Sequence, residues 1–173
     1  VRVTGVQTCA LPIWVWVGAI ADALVAADPA NAERYRANAA AARDRLDALT
    51  AEIEAEVAPV RDVPFVVFHD AYQYFEHRFD IEAVGAIAIS DASDPSAARL
   101  SEIRAMLGEI GAACVFAEPQ FDDRVVAAVT EGTAARVATL DPVGADIPLG
   151  PDFYPSLLRR LAGDLTGCLA AAG

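Results

Sequence analysis

The chain has two histidines, His69 and His77, and they stand in different company. His69 closes Phe65-Val66-Val67-Phe68, an apolar run behind Pro64 that reads as a buried parallel strand, and Asp70 follows at once. In open α/β sheets ligands bind just beyond the carboxyl ends of strands, so a histidine at that edge is placed for chemistry. Three more apolar runs end in the same manner. Ala83 to Ile89 leads to Ser90-Asp91, Ala113 to Ala117 leads to Glu118, and Arg136 to Leu140 leads to Asp141. An imidazole and carboxylates converging at one sheet edge are first-row metal ligands by type, and His beside Asp favours Zn²⁺ over Ca²⁺ or Mg²⁺. Strand-end His and Asp residues also serve as structural groups and helix caps, so spacing alone leaves both roles open. His77 sits in a polar, charged helix end and reads as solvated.

The elements that must position these residues are legible from periodicity. Val15 to Ala27 reads as a short amphipathic helix with Val17, Ile20, Ala21 and Leu24 on one face. Asp28-Pro29 stops it and starts the next, with Asp28 as N-cap. From Asn31 to about Val57 apolar residues recur at Tyr35, Ala39, Ala42, Leu46, Leu49, Ile53 and Val57, one stripe on a single helix of roughly 40 Å. Such a helix is either a packed surface helix or a strut to another lobe. Beyond the first strand, Asp70 is expected to cap a helix over Ala71 to Phe79. Asp94-Pro95 is expected to open a helix with Leu100, Ile103, Leu107 and Ile110 inward, stopped by Gly111. Asp122 to Glu131 forms a helix facing inward through Val125 and Val129. The closing helix, Asp152 to about Ala171, turns Tyr154, Leu157, Leu161, Leu165 and Cys168 or Leu169 to the core. Strand and helix thus alternate four times, which predicts an α/β fold with a four-stranded parallel sheet flanked by helices.

Composition narrows the function. A 173-residue chain that is 55% hydrophobic supports a folded domain. Its net charge of −12 leaves no basic face for phosphates, so a nucleic-acid partner is not expected. An acidic surface suits a cation carrier and many other soluble proteins. Residues 1–13 resemble a translated sequencing adapter, most clearly Val3 to Ile13, and are set aside from fold reasoning; Cys9 drops out with them. That leaves Cys114 and Cys168, which by themselves read as small buried hydrophobes.

Phe65 to Phe75, Cys114-Val115-Phe116-Ala117-Glu118-Pro119-Gln120-Phe121 and Leu140-Asp141-Pro142-Val143-Gly144-Ala145-Asp146 together resemble the C-terminal lobe of the periplasmic zinc-binding proteins of ABC transporters, the ZnuA-like branch of the metal-receptor cluster. The resemblance covers Trp16 to the end. It implies two α/β lobes joined by a long rigid helix with the metal between them. On that reading residues 14–30 are a helical remnant of the N-terminal region, 31–58 the interlobe helix and 59–173 the C-terminal metal-binding lobe. The function implied is high-affinity zinc capture in the periplasm, free or as an extracytoplasmic lipoprotein, without direct membrane insertion. Delivery is to the membrane permease of an ABC importer, and no catalysis is implied.

By motif, His69 is the metal ligand contributed by this lobe and Asp141 lies at or near the metal. Glu118 is implied as the acceptor that orients His69, since metal-bound imidazoles need such a partner. The resemblance also pairs Cys114 with Cys168, a disulfide the periplasm would keep. A histidine at position 69 argues for zinc over the manganese receptors and adhesin-type lipoproteins of the same fold, whose counterpart there is a carboxylate. A metal-dependent hydrolase using His69-Asp70 with Glu118 as base is the remaining alternative, without a nucleophile elbow or phosphate loop to support it. The N-terminal lobe with its two histidines is not found in this chain, so weak zinc binding is expected, together with an exposed stripe on the long helix that favours association.

Overall fold

The computed structural model describes residues 11–88 and 96–172. Helix α1 (Leu11–Ala27) folds back along α2 (Ala32–Val57), which is followed by β1 (Phe65–His69), α3 (Gln73–Phe79) and β2 (Gly85–Ala88). Then come α4 (Ala97–Ile110), β3 (Cys114–Ala117), α5 (Asp123–Thr130), β4 (Arg136–Thr139) and α6 (Phe153–Leu169). The four strands form one parallel sheet in the order β2-β1-β3-β4. Register is set by pairs such as Val67 with Ala86, Phe65 with Cys114 and Cys114 with Arg136. Their carboxyl ends therefore share one edge, as the alternation requires.

Period-two alternation splits the strand side chains between two cores. Phe65, Val67, Cys114 and Phe116 face α3, α6 and the C-terminal half of α2, where Ile53, Phe75, Leu157 and Leu161 are buried. Val66, Phe68, Val115 and Ala117 face α4 and α5 through Ile103, Leu107, Val126 and Val129. Three layers result, with β1 and β3 central and covered on both sides. β4 forms an edge, and Val137 is accordingly exposed.

Cys114 on β3 and Cys168 on α6 form a disulfide that ties the closing helix to the sheet, with Cα atoms 6.3 Å apart. α6 is also paired to α2 by Arg159, whose Nε and Nη2 donate to the Glu52 carboxylate at 2.8 and 2.7 Å. Arg78 on α3 donates to Glu54 on α2 at 2.7 Å.

Several local expectations are corrected. Asp28 occupies the N-cap position, but of a short 3-10 turn (Pro29–Asn31), and its carboxylate accepts from the Asn31 side chain and the Tyr35 hydroxyl. Asp70 caps nothing: α3 starts at Gln73 with Tyr72 at its N-cap, because a turn from Ala71 N–H to the His69 carbonyl comes first. The cap of α4 is Ser96, whose Oγ accepts from Arg99 N–H; Asp94-Pro95 lie outside the described residues. Gly111 closes α4 with φ 68° as expected, but Ile110 is exposed.

α5 buries Val126 with Val129, while Val125 is only partly covered. On α1 the covered face runs through Trp14, Val17, Ala21 and Val25, leaving Ile20 and Leu24 in solvent. That face covers the N-terminal half of the α2 stripe, where Tyr35, Ala39 and Ala42 are half-buried. The exposed apolar surface of this arm is therefore on α1, at Val15, Trp16, Ile20 and Leu24, and not on α2. Among the described residues no helix is long and apolar enough to cross a membrane.

Candidate metal centre

β1 delivers His69 to the sheet edge because its four preceding residues are locked into both cores, each no more than 4% exposed. The imidazole emerges at the rim with its side chain 15% exposed. Glu118 stands one strand over, immediately after β3, and is 2% exposed. His69 Nδ1 lies 2.6 Å from Glu118 Oε1, a charge-assisted contact that fixes the ring plane. Phe121 packs edge-on against the same ring with centroids 5.3 Å apart, and stacks on Phe68 at 4.4 Å.

Glu118 has a second neighbour in Tyr72, whose buried hydroxyl donates to the Leu140 carbonyl at 3.3 Å and lies close enough to the carboxylate to feel its charge. Burial first, and then the charge of Glu118, push the Tyr72 phenol far above its ordinary range, so it remains a donor.

Asp141 follows β4 and is 8% exposed. Its carboxylate organises the loop ahead of it: Oδ1 accepts from Val143 N–H at 3.0 Å and Oδ2 from Ala145 N–H at 2.8 Å. Gln120 Nε2 donates to Oδ1 at 2.8 Å. Burial by itself would raise the Asp141 pKa, but the Gln120 amide and the N–H groups of Ala145, Val143 and Gly144 together hold it below the ordinary value. The loop needs its glycine. Gly144 has φ +67°, and a Cβ there would meet Ile147 Cδ1 at 3.0 Å and Leu157 Cδ1 at 3.1 Å.

His69 and Glu118 are thus in contact, with Asp141 on the far side of β3. β1 and β4 flank β3, a separation of two strand spacings, about 10 Å between backbones. Ser90-Asp91 lie outside the described residues. His77 is exposed on α3. Among the described residues no group of three or more His, Cys, Asp and Glu side chains is gathered closely enough to hold a metal ion. Gln120 and Tyr72 were not anticipated. The turn chemistry of Leu140-Asp141-Pro142-Val143-Gly144 does signal an aspartate that collects backbone N–H groups. Nothing in the sequence pairs Gln120 with Asp141.

The sequence profile of the zinc-uptake complex component A, periplasmic, matches residues 14–168. The chain belongs to this family. Among zinc-uptake component A proteins it is 50% identical over 151 residues to the high-affinity zinc uptake system protein ZnuA of Brucella suis biovar 1 (strain 1330), covering 87% of this chain and 45% of that protein. To ZnuA of Paracoccus denitrificans (strain Pd 1222) it is 44% identical over 157 residues, covering 90% of this chain and 48% of the relative. A crystal structure of ZnuA superposes with TM-score 0.79 at 26% identity, covering 95% of this chain and 59% of that one. The chain therefore spans about half the length of the curated zinc-uptake component A relatives it matches.

Proposed function

We propose that this chain is the C-terminal lobe and interlobe helix of a periplasmic zinc receptor that captures Zn²⁺ and hands it to the membrane permease of an ABC importer. The observation that carries the reading is the 2.6 Å contact between His69 Nδ1 and Glu118. A ring that meets a buried carboxylate through Nδ1 holds its proton there, so Nε2 carries the lone pair that a first-row cation takes. Asp141 contributes a carboxylate from the end of β4, two strands away, less strongly than His69, because loop N–H groups compete for its oxygens. Remaining ligands come from the part of the receptor that this chain does not span.

The test is a Zn²⁺ titration of the 173-residue chain with ¹⁵N-labelled histidine. A one-to-one response at His69 Nε2 is expected with Kd on the order of 0.1 mM, about half of the ~10 kcal/mol a complete zinc site supplies. The response should vanish in His69→Ala and persist in His77→Ala. Silence at His69, or binding undiminished in His69→Ala, would sink the reading. Mn²⁺ displacing Zn²⁺ at equal concentration would move it to the manganese-type receptors of the same fold.

A further inference from the structure

The two candidate ligands sit on separate strands, yet one short segment touches both. After β3 the chain turns through Glu118-Pro119-Gln120-Phe121, closed by Phe121 N–H donating to the Glu118 carbonyl at 3.1 Å. The first residue of that turn grips His69 through its carboxylate, and the third grips Asp141 through its amide at 2.8 Å. The fourth packs its ring on His69 and anchors itself on Phe68. Pro119 fixes φ at the turn's second position, which stiffens the spacing between the two grips.

We infer that this turn is a bracket that sets His69 and Asp141 in register with each other, and that Gln120 is the positioning residue for Asp141 in zinc capture. The inference rests on the function proposed above. Its physical content concerns rotation of a carboxylate. Val143 and Ala145 bind Asp141 from the loop side, and the Gln120 amide binds it from the side of β3 and His69. With Gln120 in place, the carboxylate plane is fixed from two directions. Without it, only the loop holds the plane, and the group is free to turn. Gln120 itself is exposed, so replacing it leaves both cores intact.

The experiment is a double-mutant cycle on Zn²⁺ affinity in the 173-residue chain, read at His69 ¹⁵N. Gln120→Leu removes the donor at similar volume and should weaken Zn²⁺ about tenfold, the lower end for partners that orient a ligand. Asp141→Asn should weaken it at least as much. Because Gln120 acts through Asp141, the double variant should bind no worse than Asp141→Asn alone. A residue that merely supported the fold would add its effect in both backgrounds. Gln120→Leu that binds zinc like the parent, or that loses the same factor in the Asp141→Asn background, overturns the bracket. Both outcomes require a parent chain that responds to zinc at His69. A parent that does not respond overturns the proposed function itself, and the bracket with it.

Discussion

Glu118 and Asp141 are both carboxylates at the ends of neighbouring strands, and both are less than a tenth exposed, yet they are used in opposite ways. Glu118 faces side chains: the His69 imidazole at 2.6 Å and the Tyr72 phenol. Asp141 faces backbone, taking the N–H groups of Val143 and Ala145 and, among the described residues, one side-chain donor, Gln120. The difference follows from what lies downstream. Glu118 leads through Pro119 into a tight turn and α5, whose own cap is Asp122, so its carboxylate is released for the neighbouring strand. Asp141 leads into a loop of a dozen residues before α6, and such a loop must satisfy its polar backbone somehow. One strand end is built around a ring, the other around a loop that leans on Phe153 and Leu157 of α6.

The largest expected effect tests that dependence. Reducing the Cys114–Cys168 disulfide, which closes 54 residues, should cost about 4 kcal/mol on the chain-entropy account. The loss should fall on α6, and through Leu157 and Phe153 on the Gly144 loop that packs against it. Amide exchange at Val143 and Ala145 should accelerate on reduction while the His69 tautomer stays as it was. If His69 and the loop loosen together, the two ends are one unit and the contrast fails.

Much of this contrast was legible in the sequence, and the part that was not has a physical reason. Apolar runs between proline and acidic residues marked the strands, since a strand buried on both faces admits little else; Phe65 to Phe68 is the clearest case. Helix stripes were right along α6, and on α4 and α5 they missed only at Ile110 and Val125. They failed on α1, where one helix covers another and a single covered face left Ile20 and Leu24 outside. Cap signals were read from residue type alone. Ser96 and Asp122 accept backbone N–H bonds as caps, whereas Asp28 is taken by the Tyr35 hydroxyl seven residues on. The partner of His69 could be named because the family resemblance makes His69 a metal ligand, and a metal-bound imidazole needs an acceptor such as Glu118. The partner of Asp141 could not, because an exposed glutamine in a turn resembles any other.

A smaller effect isolates the loop end. Gly144→Ala forces an L-residue into φ +67° and sets a methyl about 3 Å from Ile147 and Leu157. A loss of about 2 kcal/mol is expected, roughly 4–8 °C in Tm for a chain of this size. His69 chemical shifts should not follow. Should they move as far as those of Val143, the ring end depends on the loop after all.

The smallest effect uses pH, because the two ends carry acids shifted in opposite directions. Below β1, Glu76 of α3 is pushed up to about 7, mainly by burial and further by the charges of Asp70 and Glu82, against the hydrogen bond it accepts from Ala83 N–H. A folded pKa above the unfolded one means that the stabilising form is the protonated acid. Its contribution is complete below the ordinary glutamate value of 4.5 and disappears as pH rises through about 7. Asp141 is shifted down, so its contribution is present above its ordinary value and is lost only in stronger acid. Between pH 5 and 8 Glu76 contributes a loss of stability as it ionises. Stability should fall across that window by under about 1 kcal/mol, since Glu76 is only partly buried and solvent screens it. Glu76→Gln keeps an acceptor for Ala83 and removes this titration, so urea midpoints of that variant should fall less from pH 5 to 8 than those of the parent. A slope unchanged by the substitution would assign the dependence to another group and leave Glu76 without a pH signature of its own.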